Sequence, residues 1–345
     1  MSITIKPADL RSERKIIIQT LLRHLTDQST DRRFDWLYTA SPYGCAKVWL
    51  ATDENSKTVI GAAAAFPRRF HVGNNVALIW VFGDFCLDAQ YRSLGPALQL
   101  QRACLSVLET TQCSFCYDFP SASMVAVYKR LGFSMTGKML RLAKPLRVDR
   151  KVKEMVNSPM TRRLVSSVGN TLLKIALPRV DADKSLEVSI HKELCGDEFT
   201  ALAQEQRGTL GICLQRSAEY LNWRYLNNPL AHHEILTARR RGRLVGYVVW
   251  TQAEENASIV DLFGEEDPGM VRCLVAKISA LAENRSVMTL SVSINESHPW
   301  LSLLSEMGFR VRDSSPVVII PSKTFAGNID PQMTGWYLMQ GDRDS

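Results

Sequence analysis

The chain has 345 residues, of which 46% are hydrophobic and 22% charged, and its formal net charge is +7. This length exceeds what one core usually needs and predicts two domains. No run of about twenty apolar residues is present and no apolar signal core follows Met1, so the sequence predicts neither a membrane span nor a secretion signal.

The first 145 residues predict helices followed by strands and helices in alternation. Apolar, β-branched segments predict strands over 48–52, 59–67, 76–87 and 114–119. A helix is predicted from about Pro96 to Thr110, because Pro suits a first helical turn and the apolar residues after it recur at helical spacing. This order predicts an α/β fold with a mixed sheet.

The eight cysteines are scattered through apolar segments. Cys113 and Cys116 form the one CxxC pair, without a second pair or a nearby pair of histidines. The pattern favours buried strand thiols over a metal or redox site, so we expect no metal. Unpaired thiols are typical of a reducing cytoplasm, which is the expected location.

The turn between the strand 76–87 and the following helix carries the motif Arg92-x-x-Gly95-x-Ala97. The first N–H groups of a helix have no partner within the helix, and the helix dipole favours negative charge beside them. Gly95 permits close approach of a ligand to the backbone. The turn therefore predicts a pyrophosphate cradle, although Pro96 lacks an N–H and removes one donor.

A second motif follows about thirty residues later, where a helix bearing Tyr128 leads into Leu131-Gly132-Phe133. The two motifs in this order resemble those of the GNAT acyltransferase superfamily, whose loop reads Gln/Arg-x-x-Gly-x-Gly/Ala. The Asn and Ala that usually precede the family's Tyr are replaced here by Ser121 and Met124.

The resemblance implies an acyltransferase that uses acetyl-coenzyme A or another acyl-coenzyme A. It implies a polarising backbone N–H on the strand before the loop and a Tyr that protonates the leaving thiolate, which here is Tyr128. Asp84 is the candidate base, with a structural carboxylate as the alternative. The residues implied in coenzyme binding are Cys86, Leu87, Arg92, Ser93, Leu94, Gly95, Pro96, Ala97, Leu98 and Ser121.

The chain also repeats itself. Trp36-x-Tyr38-x-x-x-Pro42 recurs as Trp223-x-Tyr225-x-x-x-Pro229, and later matches follow in the same order at similar offsets. We therefore predict two tandem GNAT-like domains, at 1–145 and 185–345, joined by a connector at 146–184. Strands of the second copy are predicted at 234–239, 244–251, 258–263 and 287–292.

The second copy lacks the coenzyme loop. Its corresponding turn contains Glu265-Glu266-Asp267, and three consecutive acids would repel a pyrophosphate. We expect this copy to support the first and to form one wall of an acceptor pocket.

The region 141–179 holds ten Lys or Arg residues against two acids, a net charge of +8. Between Pro159 and Leu177 apolar residues recur every four positions, which predicts an amphipathic helix. It is a structural brace, a contact with an acidic substrate, or a contact with an anionic membrane surface, and the last would place the protein at the periphery of the inner membrane. No nucleic-acid partner is expected, since no aromatic residues are interleaved with these charges.

The acceptor is predicted to be a small molecule with an amine or hydroxyl. Aromatic rings beside an Arg suit a sugar or nucleotide-sugar, and the same aromatics could be core residues of the repeat. The residues concerned are Trp36, Tyr38, Trp223 and Arg224. The two-copy layout and the ending Trp336-Tyr337-Leu338-Met339 resemble bacterial GNAT-like proteins of polysaccharide synthesis. Two alternatives remain: a Fem-like aminoacyl transferase that uses aminoacyl-tRNA, and a non-enzymatic binding module.

Overall fold

The computed structural model describes residues 2–147, 149, 183, 185–323 and 333–343. In the first half, the strands are β1 (Ile3–Pro7), β2 (Lys47–Asp53), β3 (Val59–Val72), β4 (Asn75–Leu87), β5 (Phe115–Asp118) and β6 (Gly137–Pro145). The helices are α1 (Arg14–His24), α2 (Asp31–Phe34), α3 (Leu94–Leu105), α4 (Val107–Thr110) and α5 (Ala122–Arg130). Helix α2 continues as a π-helical turn, Asp35–Thr39.

The second half has a similar order of elements, with two additional short strands. Its strands are β7 (Leu186–His191), β8 (Ile212–Leu214), β9 (His233–Arg240), β10 (Arg243–Ala253), β11 (Asn256–Gly264), β12 (Thr289–Asn295), β13 (Arg310–Pro321) and β14 (Trp336–Tyr337). Its helices are α6 (Asp197–Glu205), α7 (Ala218–Leu221), α8 (Pro268–Asn284) and α9 (Leu301–Glu306), and α7 also continues as a π-helical turn, Asn222–Leu226.

The predicted mixed α/β architecture is confirmed. All eight strands predicted from the sequence are present, and each lies within a few residues of its expected bounds. The helix predicted from Pro96 is observed as α3 and α4, and it begins two residues earlier than expected. Cys113 and Cys116 are both buried, as expected, but only Cys116 lies on a strand, since β5 begins at Phe115. The connector helix lies outside the described residues, and the domain boundaries stay a prediction.

One continuous sheet crosses both halves, in the order β1-β2-β3-β4-β5-β13-β6-β12-β11-β10-β9-β7. The strands β6 and β13, late in their respective halves, each pair with the opposite half. The C-terminal part of β13 pairs with β5 through Val318–Pro321, and β6 pairs antiparallel with β12 along 139–145. Each half therefore completes the other's sheet, an exchange that the sequence pattern did not predict.

The repeated tryptophans meet where the two halves touch. The Trp36 ring N–H donates to the Trp223 carbonyl at 2.7 Å, and the Trp223 ring N–H donates to the Trp36 carbonyl at 2.8 Å. The two rings stack with their centroids 5.5 Å apart. The repeat motif therefore forms a reciprocal contact between the halves.

Within the described ranges, none of the helices has both the length and the apolar character that a bilayer crossing needs.

Candidate active site

A cavity opens where β4 and β5 separate. These parallel strands are paired only from Ile79 to Val81 on β4, after which they diverge. The cavity between them has a volume of about 1050 Å³ and continues against β11 and β12 of the second half. It therefore joins a wedge in the first half to a wall supplied by the second.

On one side of the wedge, β4 has a bulge. Its pairing with β3 shifts register at Ala63, and Asp84 adopts a positive φ of 49°. A bulge re-aims side chains and interrupts the ladder. The cavity is consequently lined by Phe82, Gly83, Asp84 and Phe85, whereas the predicted Cys86 and Leu87 are buried beside it.

Asp84 is held by two side chains from the α2 segment. The Arg33 guanidinium donates to both carboxylate oxygens at 2.6 Å, and the Tyr38 hydroxyl donates to Oδ2 at 2.5 Å. Burial opposes the charge on Arg33, but pairing with Asp84 raises its pKa overall. Burial and then the Asp84 charge raise the pKa of Tyr38. The role of Asp84 as a base stays a prediction, and this bidentate pair would have to loosen for it.

On the other side of the wedge, β5 ends at Asp118. The Tyr128 hydroxyl donates to Asp118 Oδ2 at 2.7 Å, and the Gln101 amide donates to the Tyr128 oxygen at 3.0 Å. Asp118 and Gln101 line the cavity, whereas the fully buried Tyr128 lies behind them. Burial and then the Asp118 charge raise the pKa of Tyr128 well above its usual value, so Tyr128 keeps its proton.

The predicted coenzyme loop is an exposed helix start. Ala97 N–H already bonds to the Ser93 carbonyl at 3.3 Å, so the earlier N–H groups of Leu94 and Gly95 have no partner within the helix. A side chain added at Gly95 would meet no atom within 4 Å. The Arg92 guanidinium turns back to the Leu87 carbonyl at 2.9 Å. Two free donors and open space above them fit a phosphate group.

This helix start is continuous with the cavity along α3. Gln101, which lines the cavity, lies six residues after Gly95 on the same helix. At 1.5 Å per residue the two are about 9 Å apart along the axis. Ser121 also lines the cavity and caps α5 by accepting from Met124 N–H at 3.4 Å. A long ligand with an anionic end at Gly95 could therefore reach the wedge.

The corresponding helix start in the second half is already occupied by its own carboxylate. Asp267 caps α8 by accepting from Gly269 N–H at 2.7 Å, and it pairs with Arg240 at 2.5 Å. A side-chain anion thus lies where a phosphate would bind. The absence of a coenzyme loop from the second copy stays a prediction.

The wall from the second half is polar. Trp36 and Arg224 line the cavity, with the Arg224 guanidinium 5.6 Å from the Trp36 ring centroid. The other predicted acceptor residues, Tyr38 and Trp223, are buried and do not line the cavity. The hydroxyls on this wall belong to Thr251, Ser258, Ser291, Ser293 and Ser315.

The C-terminal segment also reaches the cavity, which the sequence did not predict. Gln340, Gly341 and Arg343 line it. Asp342 anchors the segment: it pairs with the fully buried Arg216 at 3.0 Å, and its carbonyl accepts from the Tyr117 hydroxyl at 2.6 Å. Nothing in the local sequence indicated this return.

Sequence reasoning also missed Arg33, Gln101 and Asp118 as site residues. A signal existed for Asp118, since it is the polar residue that ends a buried apolar strand. Arg33 and Gln101 carried none, because each acts through a partner that is distant in sequence.

Comparison with solved structures gives the same fold. A "probable N-acyltransferase" of Enterococcus faecalis V583 matches with a TM-score of 0.68 and 14% identity, over 94% of this chain and 73% of the other. A GCN5-related N-acetyltransferase from Anabaena variabilis matches with a TM-score of 0.64 and 13% identity, over 92% and 72%. The N-myristoyltransferase of Saccharomyces cerevisiae, solved with bound myristoyl-CoA, matches with a TM-score of 0.57 and 11% identity, over 92% and 82%.

No protein-family model and no curated protein matches the sequence. The likeness therefore concerns the fold, which is that of the GCN5-related N-acetyltransferases.

Proposed function

We propose that this protein with the GNAT fold is an acyltransferase that takes an acyl group from an acyl-coenzyme A. The observation that carries the proposal is the wedge between β4 and β5, together with the open helix start at Leu94 and Gly95. The helix start would hold the pyrophosphate, and the thioester would reach the wedge.

The acceptor, in this proposal, enters from the second half. The hydroxyl-lined wall and the Arg224 and Arg343 guanidiniums favour a small polar acceptor with an amine or hydroxyl, such as a sugar. A role in polysaccharide synthesis would follow from a sugar acceptor.

Calorimetry with acetyl-coenzyme A tests the proposal directly. We expect one binding site per chain for acetyl-coenzyme A. Acetyl-pantetheine should bind more weakly, since that thioester lacks the pyrophosphate. Longer acyl-coenzymes, tried in parallel, would identify the preferred chain. Absence of binding by all of them would leave the aminoacyl-tRNA-dependent transferase or the binding module as the better interpretation.

Acceptors can then be compared by acceptor-dependent release of coenzyme A, measured by chromatography. Amino sugars and neutral sugars form one group, and amino acids and simple amines form the other. Release that depends only on the second group would contradict the sugar acceptor and leave the acyltransferase proposal intact.

A further inference from the structure

Two carboxylates line the cavity, and they differ in what surrounds them. Asp84 is in a bidentate pair with Arg33 and also accepts from Tyr38. Among the described residues, no cation lies within salt-bridge distance of Asp118, whose partners are uncharged donors. Of the two, Asp118 is the one that can take up a proton without breaking an ion pair.

The partners of Asp118 fix its orientation. The Phe119 N–H donates to Oδ1 at 2.7 Å, and the Tyr128 hydroxyl donates to Oδ2 at 2.7 Å. Each oxygen of a carboxylate accepts two hydrogen bonds, so each oxygen keeps one free lone pair. The Gln101 amide in turn donates to the Tyr128 oxygen.

We propose that Asp118 is the proton acceptor of the acyl transfer and that Tyr128 is a positioning residue behind it. This inference rests on the proposed function. In it Asp118, and not Tyr128, is the group that meets the leaving thiolate. Tyr128 is fully buried and does not line the cavity, whereas its two hydrogen-bond partners, Asp118 and Gln101, do.

The charged and titratable groups around Asp118 support this role. Burial raises the pKa of Asp118 to about 6, against the hydrogen bonds from Tyr128 and Phe119 and the charge of Arg343. Such a carboxylate is mostly ionised at neutral pH and is a stronger base than an exposed one. Burial raises the pKa of the neighbouring Cys104, which stays a neutral thiol.

In the proposed reaction, Asp118 alone carries the proton from the acceptor to the leaving thiolate. The acceptor nitrogen or oxygen attacks the thioester carbonyl, its bond to carbon forms, and its proton passes to the Asp118 carboxylate. The carbon–sulfur bond then breaks with its electron pair on sulfur. The Asp118 carboxylic acid returns the proton to the thiolate, so coenzyme A leaves as a thiol and Asp118 is again ionised.

The first test is Asp118→Asn in the full chain. The probe is acetyl-coenzyme A with water as acceptor, and coenzyme A release is measured by chromatography. We expect binding of acetyl-coenzyme A to persist and release to fall by about 10²-fold or more. The matched control is Asp197→Asn, an exposed Asp on α6 outside the cavity, which should leave both unchanged.

The second test is Tyr128→Phe, read as a pH profile. The Tyr128 hydrogen bond favours the ionised carboxylate, so its loss should raise the pKa of Asp118. The acidic limb of kcat/KM should move to higher pH by about one unit, the equivalent of one hydrogen bond of ~1.4 kcal/mol. If Tyr128 has only a structural role, its replacement would lower the rate without moving the acidic limb of the profile.

The outcomes separate this inference from the proposed function. If the wild-type protein does not bind acetyl-coenzyme A or a longer acyl-coenzyme, the proposed function fails. If it binds but releases no coenzyme A above background, or if Asp118→Asn releases it at the wild-type rate, the role of Asp118 is refuted. If Asp118→Asn does not fold, the Tyr128→Phe profile decides, and an unmoved acidic limb overturns the proposal.

Discussion

Replacing Gly95 with Asp should abolish coenzyme binding without harming the fold. A Cβ at Gly95 meets no protein atom within 4 Å, so the new side chain occupies space that only a ligand would use. Asp in the first turn of a helix is favourable by about 0.3–1 kcal/mol, because it complements the helix dipole. The thermal midpoint should therefore stay the same or rise.

The loss of affinity can be worked from charge. A carboxylate about 5 Å from a phosphate charge costs roughly 3 kcal/mol at an effective dielectric constant of about 20. This corresponds to a roughly 10²-fold larger dissociation constant for the coenzyme, before any steric clash is counted. Gly95→Ala adds bulk without charge and should weaken binding by less than Gly95→Asp does.

The assay is calorimetry with acetyl-coenzyme A, together with a thermal melt of each variant. Gly196→Asp is the matched control: Gly196 caps α6, and a side chain there also meets no atom within 4 Å. It should bind the coenzyme as the wild type does. Wild-type affinity in Gly95→Asp would refute the placement of the pyrophosphate at this helix start.

Three further predictions concern stability and location. Trp36→Phe and Trp223→Phe should each lower the free energy of unfolding in urea by about 1–3 kcal/mol, because a buried carbonyl loses its donor. Since the two contacts are reciprocal, the double variant should lose measurably less than the sum of the two single losses. Strictly additive losses would contradict coupling between the two contacts. Burial raises the pKa of Asp118 to about 6 in the fold, above its ordinary value of 3.8, so the wild type should lose about 2 kcal/mol of stability as pH rises from 4 to 7. The Asp118→Asn variant should lack this loss of stability. Stability–pH curves that run parallel for the variant and the wild type would contradict the prediction. In the basic connector, the double change Arg162→Glu and Arg163→Glu should release the protein from anionic vesicles at low salt, because each basic residue near the surface contributes about 1 kcal/mol to binding. If the wild type does not bind such vesicles, the membrane contact is refuted and the connector is a structural brace.

The sequence predicted the elements better than it predicted their partners. Strand alternation and the Gly95 turn are local patterns, and the structure reproduces both. The pairing of Asp84 with Arg33 and of Tyr128 with Asp118 depends on contacts across 51 and 10 residues, which no local pattern encodes. The Trp repeat was recognised as a repeat, but its reciprocal hydrogen bonds required the two halves to meet.

The exchange of closing strands has a consequence for how the chain acquires its structure. During synthesis the first half emerges with β5 present, but its antiparallel neighbour β13 is made only when residues 310–321 follow. Until then the edge of β5 is an open template for other chains. Contacts this distant in sequence slow folding, because the loop between them must close first. A ribosome-bound fragment ending near residue 145 should therefore depend on chaperones, whereas the completed chain seals that edge with its own strand.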